Sequence, residues 1–166
     1  MPESLFYDKF SSPLGKLTLV ASSRGLRAVL WENEPPHRVR LEGEWKKAAD
    51  FSLLAETKKQ LTEFFEGRRT QFTLSLDPVG SAFQKRAWAE LGEIPYGTTV
   101  SYREQARRLG DPRLARAVGA ANGKNPISIV VPCHRVVGSD GKLTGFAGGL
   151  RAKQFLLSLE RNAREL

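Results

Sequence analysis

Cysteine, methionine and histidine are the scarce residues of this 166-residue chain, which holds one, one and two of them. A single cysteine cannot close an internal disulfide, which suits a reducing compartment: the cytoplasm, or the nucleus in a eukaryote. With only Cys133, His37 and His134 as soft ligands, the donors of a structural zinc site are missing, so no metal is expected. Long apolar runs are missing too. Nothing approaches the roughly 20 residues of a membrane helix, and MPESLFYDKF lacks the basic-then-apolar layout of a signal peptide. No membrane partner is therefore expected. Internal repeats and low-complexity tracts are absent as well.

What remains is the composition of a folded globular protein, 40% hydrophobic and 27% charged. The length allows one ordinary core or two small packed units. The net charge of +8 is unevenly placed: residues 1–78 carry 12 Lys/Arg against 11 Asp/Glu, and residues 79–166 carry 14 against 7. The basic second half is either a solvated surface or the footprint of a polyanion, and the placement of its arginines decides between them.

In the first half, LFYDKF, KLTLVA and LRAVLW are short β-favouring segments separated by the turn signals Ser12-Pro13-Leu14-Gly15 and Ser22-Ser23-Arg24-Gly25. Consecutive hairpins follow. Glu32 to Asp50, with Pro35-Pro36, reads as a loop holding at most a weak strand or helix, and no function attaches to it. Helical spacing of Leu54, Leu61 and Phe65 predicts a helix over 51–66, stopped by Gly67. QFTLSL alternates Phe72, Leu74 and Leu76 as a half-buried strand would. Asp77-Pro78-Val79-Gly80 then marks a boundary, giving a sheet-and-helix domain over 1–78 and a second domain over 79–166.

The second domain is mostly helical. Phe83, Ala87, Leu91 and Ile94 share one face of a helix ended by Pro95-Tyr96-Gly97. Ser101-Tyr102-Arg103-Glu104 has the spacing of a capping box, Gly110 stops the helix it opens, and Asp111-Pro112 starts another. Two short helices joined by a tight glycine turn make a helix-turn-helix. Steps of 100° from Leu114 put Leu114, Ala117, Val118 and Ala121 on one side, as core, and Ala115, Arg116, Gly119 and Ala120 on the other. Three small residues around one arginine either pack against another helix or let a duplex approach closely, with Arg116 projecting into a narrow groove. Arg103, Arg107 and Arg108 on the preceding helix are then placed to lie along phosphates.

Cys133 sits in VVPCHRVVG. A lone cysteine in apolar surroundings is either a small buried hydrophobe or a nucleophile. Pro132 before it and the cationic His134 and Arg135 after it favour the thiolate. Adjacent side chains point apart, so a bridging water is the natural link between Cys133 and His134. Such a relay needs a carboxylate behind the imidazole. Glu160, at the border of a face formed by Ala152, Phe155, Leu156 and Leu159 on the last helix, either turns inward to supply it or stays at the surface.

PCHRV at 132–136, after Asn125-Pro126 and before GKLTGFAGGL, stands in register with IPYGTTVSY, ARAVGAANGKNP and GFAGG. From Phe83 to Glu160 this pattern resembles the O6-alkylguanine-DNA alkyltransferase family, also called methylated-DNA–protein-cysteine methyltransferases. The resemblance implies an α+β fold: a small ribonuclease-H-like N-terminal sheet domain, then a mostly helical domain with a winged helix-turn-helix-like DNA-binding motif. It implies a monomer that repairs double-stranded DNA containing alkylated guanine, with no metal and no cofactor. The target nucleotide, O6-alkylguanine and also O4-alkylthymine, is turned out of the duplex, and its alkyl group passes irreversibly to Cys133. On the same resemblance His134 activates the thiol, Glu160 completes the relay, and Asn125 bridges the active-site loop and the recognition helix. Tyr102 and Arg116 turn out the nucleotide and fill its gap, in the minor groove. Ser101, Ala115, Gly119, Ala120 and Arg135 join the DNA contacts, and Val136, Phe146, Ala147 and Gly148 line the substrate pocket.

The chain also departs from some members. Phe146-Ala147 stands where they have Tyr-Ser, leaving a backbone N–H to serve O6, and Ser128 stands where they have a proline that narrows the pocket. The alternatives are a non-catalytic protein that binds alkyl lesions, an alkylation-signalling DNA-binding protein, and a cysteine hydrolase. Cys133 itself speaks against the first, and the helix-turn-helix against the last.

Overall fold

The computed structural model describes residues 3–165. The three β-favouring segments form strands β1 (Ser4–Ser12), β2 (Gly15–Ala21) and β3 (Leu26–Trp31), joined as antiparallel hairpins. Gly15, at φ 105°, makes the first turn in a region that other residues enter only with strain. A fourth strand, β4 (Glu44–Lys47), runs parallel to β1 and gives the order β3-β2-β1-β4. Alternation along β2 sends Leu17 and Leu19 to the face covered by α1 (Ser52–Phe65), where Leu54, Leu61 and Phe64 bury against them. Each such side chain contributes about 1.5–3 kcal/mol by leaving water.

QFTLSL does not become a strand. Leu76 makes one parallel bridge to Leu26, Phe72 and Leu74 are half-buried, and Leu76 is exposed. Side chains claim the backbone groups that a ladder would use: Gln60 accepts from Thr73 N and donates to Thr73 O, and Arg27 donates to Asp77 O.

In the second half, Ser81 and Gln84 form a complete capping box before α2 (Ala82–Leu91). At α3 (Tyr102–Arg108) the box is half made. Ser101 Oγ accepts from Glu104 N at 3.0 Å, but the Glu104 carboxylate turns outward to Arg107 and Arg108. Gly110, at φ 115°, turns the chain, and Asp111 caps a single 3-10 turn over Pro112–Leu114 before α4 (Ala115–Gly123). That turn changes the phase of the helix. Leu114 and Ala117, expected in the core, are exposed, while Val118, Ala121 and Asn122 are buried. Asn122 exchanges two hydrogen bonds, 2.8 and 3.0 Å, with Gln105, so a buried amide pair fastens α4 to α3. The last helix, α5 (Leu150–Glu165), turns Ala152, Lys153, Leu156 and Glu160 inward and leaves Phe155 at the surface, against expectation.

One apolar core runs through both halves, with Leu54 and Phe64 joined to Trp88, Leu91 and Ile94 and to Ile127, Ile129, Val131 and Val136. β3 itself reaches across. Val29 N donates to Pro126 O at 2.9 Å, and Val29 bridges Ile127, so the segment leading to Cys133 is laid along the sheet edge. Just beyond, Ile129 holds φ 75° while Val130 N closes on Ser128 O at 2.9 Å. A β-branched residue in that region costs of the order of 1–3 kcal/mol, and complete burial of its side chain keeps it there. Two short parallel strands, β5 (Val100–Ser101) and β6 (Val136–Val137), tie the start of α3 to the chain just after Cys133. Among the described residues no helix is long and apolar enough to cross a membrane.

Candidate active site and nucleic-acid interface

Pro132 leads into a single 3-10 turn, Cys133–Arg135, that sends three neighbouring side chains in different directions. Cys133, 8% exposed, faces a cavity of about 580 Å³. The walls come from four places: Pro35 and Arg38 after β3, Tyr102 on α3, Ala115, Arg116, Gly119, Asn122 and Gly123 on α4, and Thr144 to Ala147 before α5. The small face of α4 is therefore a wall of the cavity, with Arg116 exposed at its rim. A Cβ on Gly119 would stand 3.7 Å from the Tyr102 ring, in ordinary contact, so the glycine keeps the wall thin without being required by a clash.

His134 points the other way. It is completely buried, and its Nε2 lies 2.7 Å from Glu160 Oε2. Glu160 also accepts from Arg135 Nε and Nη2, each at 2.9 Å, and from Gly97 N at 3.1 Å. Burial pushes the Glu160 carboxyl up, but the hydrogen bonds from His134 and Arg135 outweigh it and hold it at about 2. The ionised carboxylate only accepts, so His134 Nε2 carries the hydrogen and Nδ1 keeps its lone pair. Burial lowers His134 below its ordinary value, with Arg135 and Lys153 adding to the effect against Glu160, so the ring is neutral at rest. Nδ1 is buried and has no hydrogen-bond partner among the described residues, which leaves the ring with an open acceptor.

The electrostatics of Cys133 differ from the sequence expectation. Burial pushes the thiol up, and what opposes it is a hydrogen bond from Asn125 and the charges of Arg38 and Lys153, not those of His134 and Arg135. Asn125 is itself completely buried. Its Nδ2 donates to Val131 O at 2.9 Å, its Oδ1 accepts from Ile127 N at 3.0 Å, and its backbone N donates to Asn122 O in α4. The loop carrying Cys133 and the end of α4 thus meet at one residue, the loop through its side chain and the helix through its backbone N–H.

Other expected site residues fall elsewhere. Arg135, expected at DNA, is 7% exposed and spends its guanidinium on Glu160 and Ile94 O. Arg107 and Arg108, expected along phosphates, are paired with Glu104, while Arg103 is exposed. Ala120 is exposed outside the cavity, and Ser101 serves as the cap of α3. Phe146 and Ala147 line the cavity, but Val136 is wholly buried in the core and Gly148 packs on Trp31, where a Cβ would come within 2.6 Å of the indole. Ser128 is buried away from the cavity, so it does not set its width.

Three residues of the site escaped sequence reasoning. Arg38 Nη1 donates to Gly123 O and Asn125 O at 3.0 and 2.9 Å, so the loop after β3 braces the end of α4. Thr144 supplies the cavity's hydroxyl, 2.7 Å from Tyr102 Oη. Lys153 is completely buried. Arg38 and Lys153 lie far from PCHRV in sequence, whereas Thr144 falls within GKLTGFAGGL; for Lys153 the signal was one lysine among the inward positions of an amphipathic helix. Among the described residues no group of three or more His, Cys, Asp or Glu side chains is placed to hold a metal ion.

The chain matches the ribonuclease-like domain of 6-O-methylguanine DNA methyltransferase over residues 5–78 and the DNA binding domain of that family over residues 82–162. It is 45% identical to a methylated-DNA–protein-cysteine methyltransferase of Methanosarcina barkeri over 158 residues, covering 95% of this chain and 98% of that one. A protein of the same name from Mycolicibacterium paratuberculosis is 48% identical over 158 residues, covering 93% and 92%. Among solved structures, Mycobacterium tuberculosis OGT in complex with DNA is similar with a TM-score of 0.84 and 41% identity, covering 96% of this chain and 94% of that chain.

Proposed function

The chain belongs to the 6-O-methylguanine DNA methyltransferase family, and on that premise we propose that Cys133 is its alkyl acceptor. The activity is that of a methylated-DNA–protein-cysteine methyltransferase, a DNA-binding repair protein that takes an alkyl group onto its own cysteine. The carrying observation is that the only cysteine faces a 580 Å³ cavity walled by the small face of α4, with His134 and Glu160 behind it. The volume lies within the roughly 300–1,000 Å³ typical of small-molecule pockets.

The small residues Ala115 and Gly119 let α4 enter a minor groove, and Arg116 takes the space left when the alkylated guanine leaves the stack beside Tyr102. Turning the nucleotide out costs a few kcal/mol and is the only way an in-line nucleophile reaches the alkyl carbon. The thiol proton passes through a bridging water to His134 Nδ1, and the imidazolium is stabilised by Glu160 across the 2.7 Å contact. The thiolate forms a bond to the alkyl carbon as the C–O6 bond breaks, and the electron pair leaves with the guanine. Tyr102 Oη hydrogen-bonds the departing purine, and the backbone beside Phe146 and Ala147 serves O6. The thioether has no ordinary route back, so each molecule acts once. O4-alkylthymine is the secondary substrate. The protein works as a cytoplasmic monomer, with 1–78 supporting the reacting domain at 79–166.

Incubation with a duplex containing O6-methylguanine tests this reading by intact and peptide mass. One methyl group on the Cys133 peptide, never more than one turnover, is expected. Multiple turnovers, or an unmodified Cys133 with the lesion still bound, would overturn it.

A further inference from the structure

Lys153 is the most unusual charged residue of the fold. Its exposure is zero, and among the described residues no carboxylate lies within ion-pair distance of it. Nζ has one hydrogen-bond acceptor, Thr144 O at 3.1 Å, and stands 5.9 Å from the centre of the Tyr102 ring. Burying an ammonium with so little compensation is expensive, and a lysine in such a place is rare unless paired. Thr144 and Tyr102, the two residues that Lys153 of α5 touches, line the cavity that Cys133 faces, as does Arg38 from the loop after β3, and the charges of Arg38 and Lys153 act on the thiol together with the Asn125 hydrogen bond. Of the two cations, Arg38 is already bonded to Glu34, Gly123 O and Asn125 O. Lys153 has no anion of its own.

We propose that Lys153 is a positioning residue for alkyl transfer, its buried ammonium supplying the positive field that holds the Cys133 thiolate while the hydrogen bond to Thr144 O and the contact with the Tyr102 ring keep it in place. The proposal rests on Cys133 being the alkyl acceptor. Lys153 exchanges no proton: the thiol proton goes to His134, and the ammonium remains protonated before and after transfer. Burial lowers Lys153 while Cys133 raises it, and Lys153 lowers Cys133 in turn, the reciprocal effect expected of two groups that charge together.

The test is the pH dependence of carboxamidomethylation by iodoacetamide, read by intact mass. Cys133 is the only cysteine, so every adduct is its own, and the readout does not depend on DNA or on repair. In Lys153→Met, which keeps the bulk and removes the charge, the midpoint is expected to move up by about one unit or more, a tenfold or larger loss of rate below the midpoint. Lys153→Arg is expected to return it toward the parent value. An unchanged midpoint in folded Lys153→Met, or an equal shift in the Met and Arg variants, would overturn the proposal, because packing rather than charge would then be responsible. Should Lys153→Met fail to fold, Lys153→Gln is read by the same criterion. Transfer from an O6-methylguanine duplex is measured alongside. Its absence from the parent protein counts against the alkyl-acceptor reading, whereas a midpoint that ignores Lys153 counts against this one.

Discussion

Behind the Cys133 turn, Glu160 receives His134, two nitrogens of Arg135 and the Gly97 amide; in front of it, the thiol faces a cavity whose Tyr102 and Thr144 walls are backed by the buried Lys153 ammonium, with no carboxylate among the lining residues. At the rear the Glu160 carboxylate is fully paired, and the one charge that changes in the proposed relay is that of His134, whose open Nδ1 takes the thiol proton. The front is left unsaturated, and there the charge changes as a thiol becomes a thiolate and then a thioether. A buried charge with every valence met fixes geometry, whereas one with valences open is available to the chemistry. A third carboxylate completes the contrast. Glu104 is also held at about 2 by Arg107 and Arg108, but at the surface, where solvent screens what such a pair contributes.

Breaking the front has the largest effect. Cys133→Ala is expected to abolish transfer while DNA affinity stays within about threefold, and mass spectrometry with a mobility-shift titration reads both. Breaking the rear comes next. Glu160→Gln leaves Arg135 without its buried counter-charge, so a loss of about 3–5 kcal/mol in denaturant unfolding is expected. The rate of transfer should also fall by about 100-fold. The pH dependence of stability has the same origin. Glu160 and His134 both titrate lower in the folded protein than in the unfolded chain, so their contribution is complete above the unfolded values. It is lost as pH falls, first below about 6.5 for His134 and then from 4.5 toward about 2 for Glu160. Melting temperatures that rise on acidification through that window would contradict the arrangement.

Arg116→Ala leaves front and rear intact and removes only the rim. Transfer from duplex DNA is expected to slow by about tenfold or more, a part of the few kcal/mol that turning out a base costs, while reaction with the free modified base is unaltered. Glu104→Gln sharpens the contrast from the surface. Folding stability should change by no more than about 0.5 kcal/mol. Arg107 and Arg108, once released, should steepen the salt dependence of DNA binding by up to about two counter-ions.

Much of the site is legible in the sequence, because PCHRV and its flanking motifs are local and Glu160 sits at the edge of an amphipathic face. What was misread depends on distant partners or on phase. Arg135 stands next to Cys133 in the chain, yet the 3-10 turn sends it to Glu160. Leu114 and Ala117 drop out of the core because Pro112–Leu114 winds more tightly than the helix it precedes. QFTLSL has the period of a strand, but Gln60 occupies its backbone at Thr73 and only Leu76 bridges to the sheet. Arg38 reaches the cavity, and Lys153 the Tyr102 and Thr144 side of it, from segments whose spacing carries no trace of one another. The hairpins β1 to β3 were legible because turn residues and alternation are neighbours in the chain.

The hydrogen bond from Val29 to Pro126 also bears on solubility. A sheet edge is a template for another chain unless something covers it. At the far edge β4 is short, exposed and rich in charge. At the near edge β3 is covered by Leu76 at one end and by Pro126 and Ile127 in the middle. The segment that seats the reactive thiol is therefore also the guard of a β-edge. Anything that lifts Ile127 from Val29 bares unpaired backbone on an apolar strand, and makes this region the first point of aggregation.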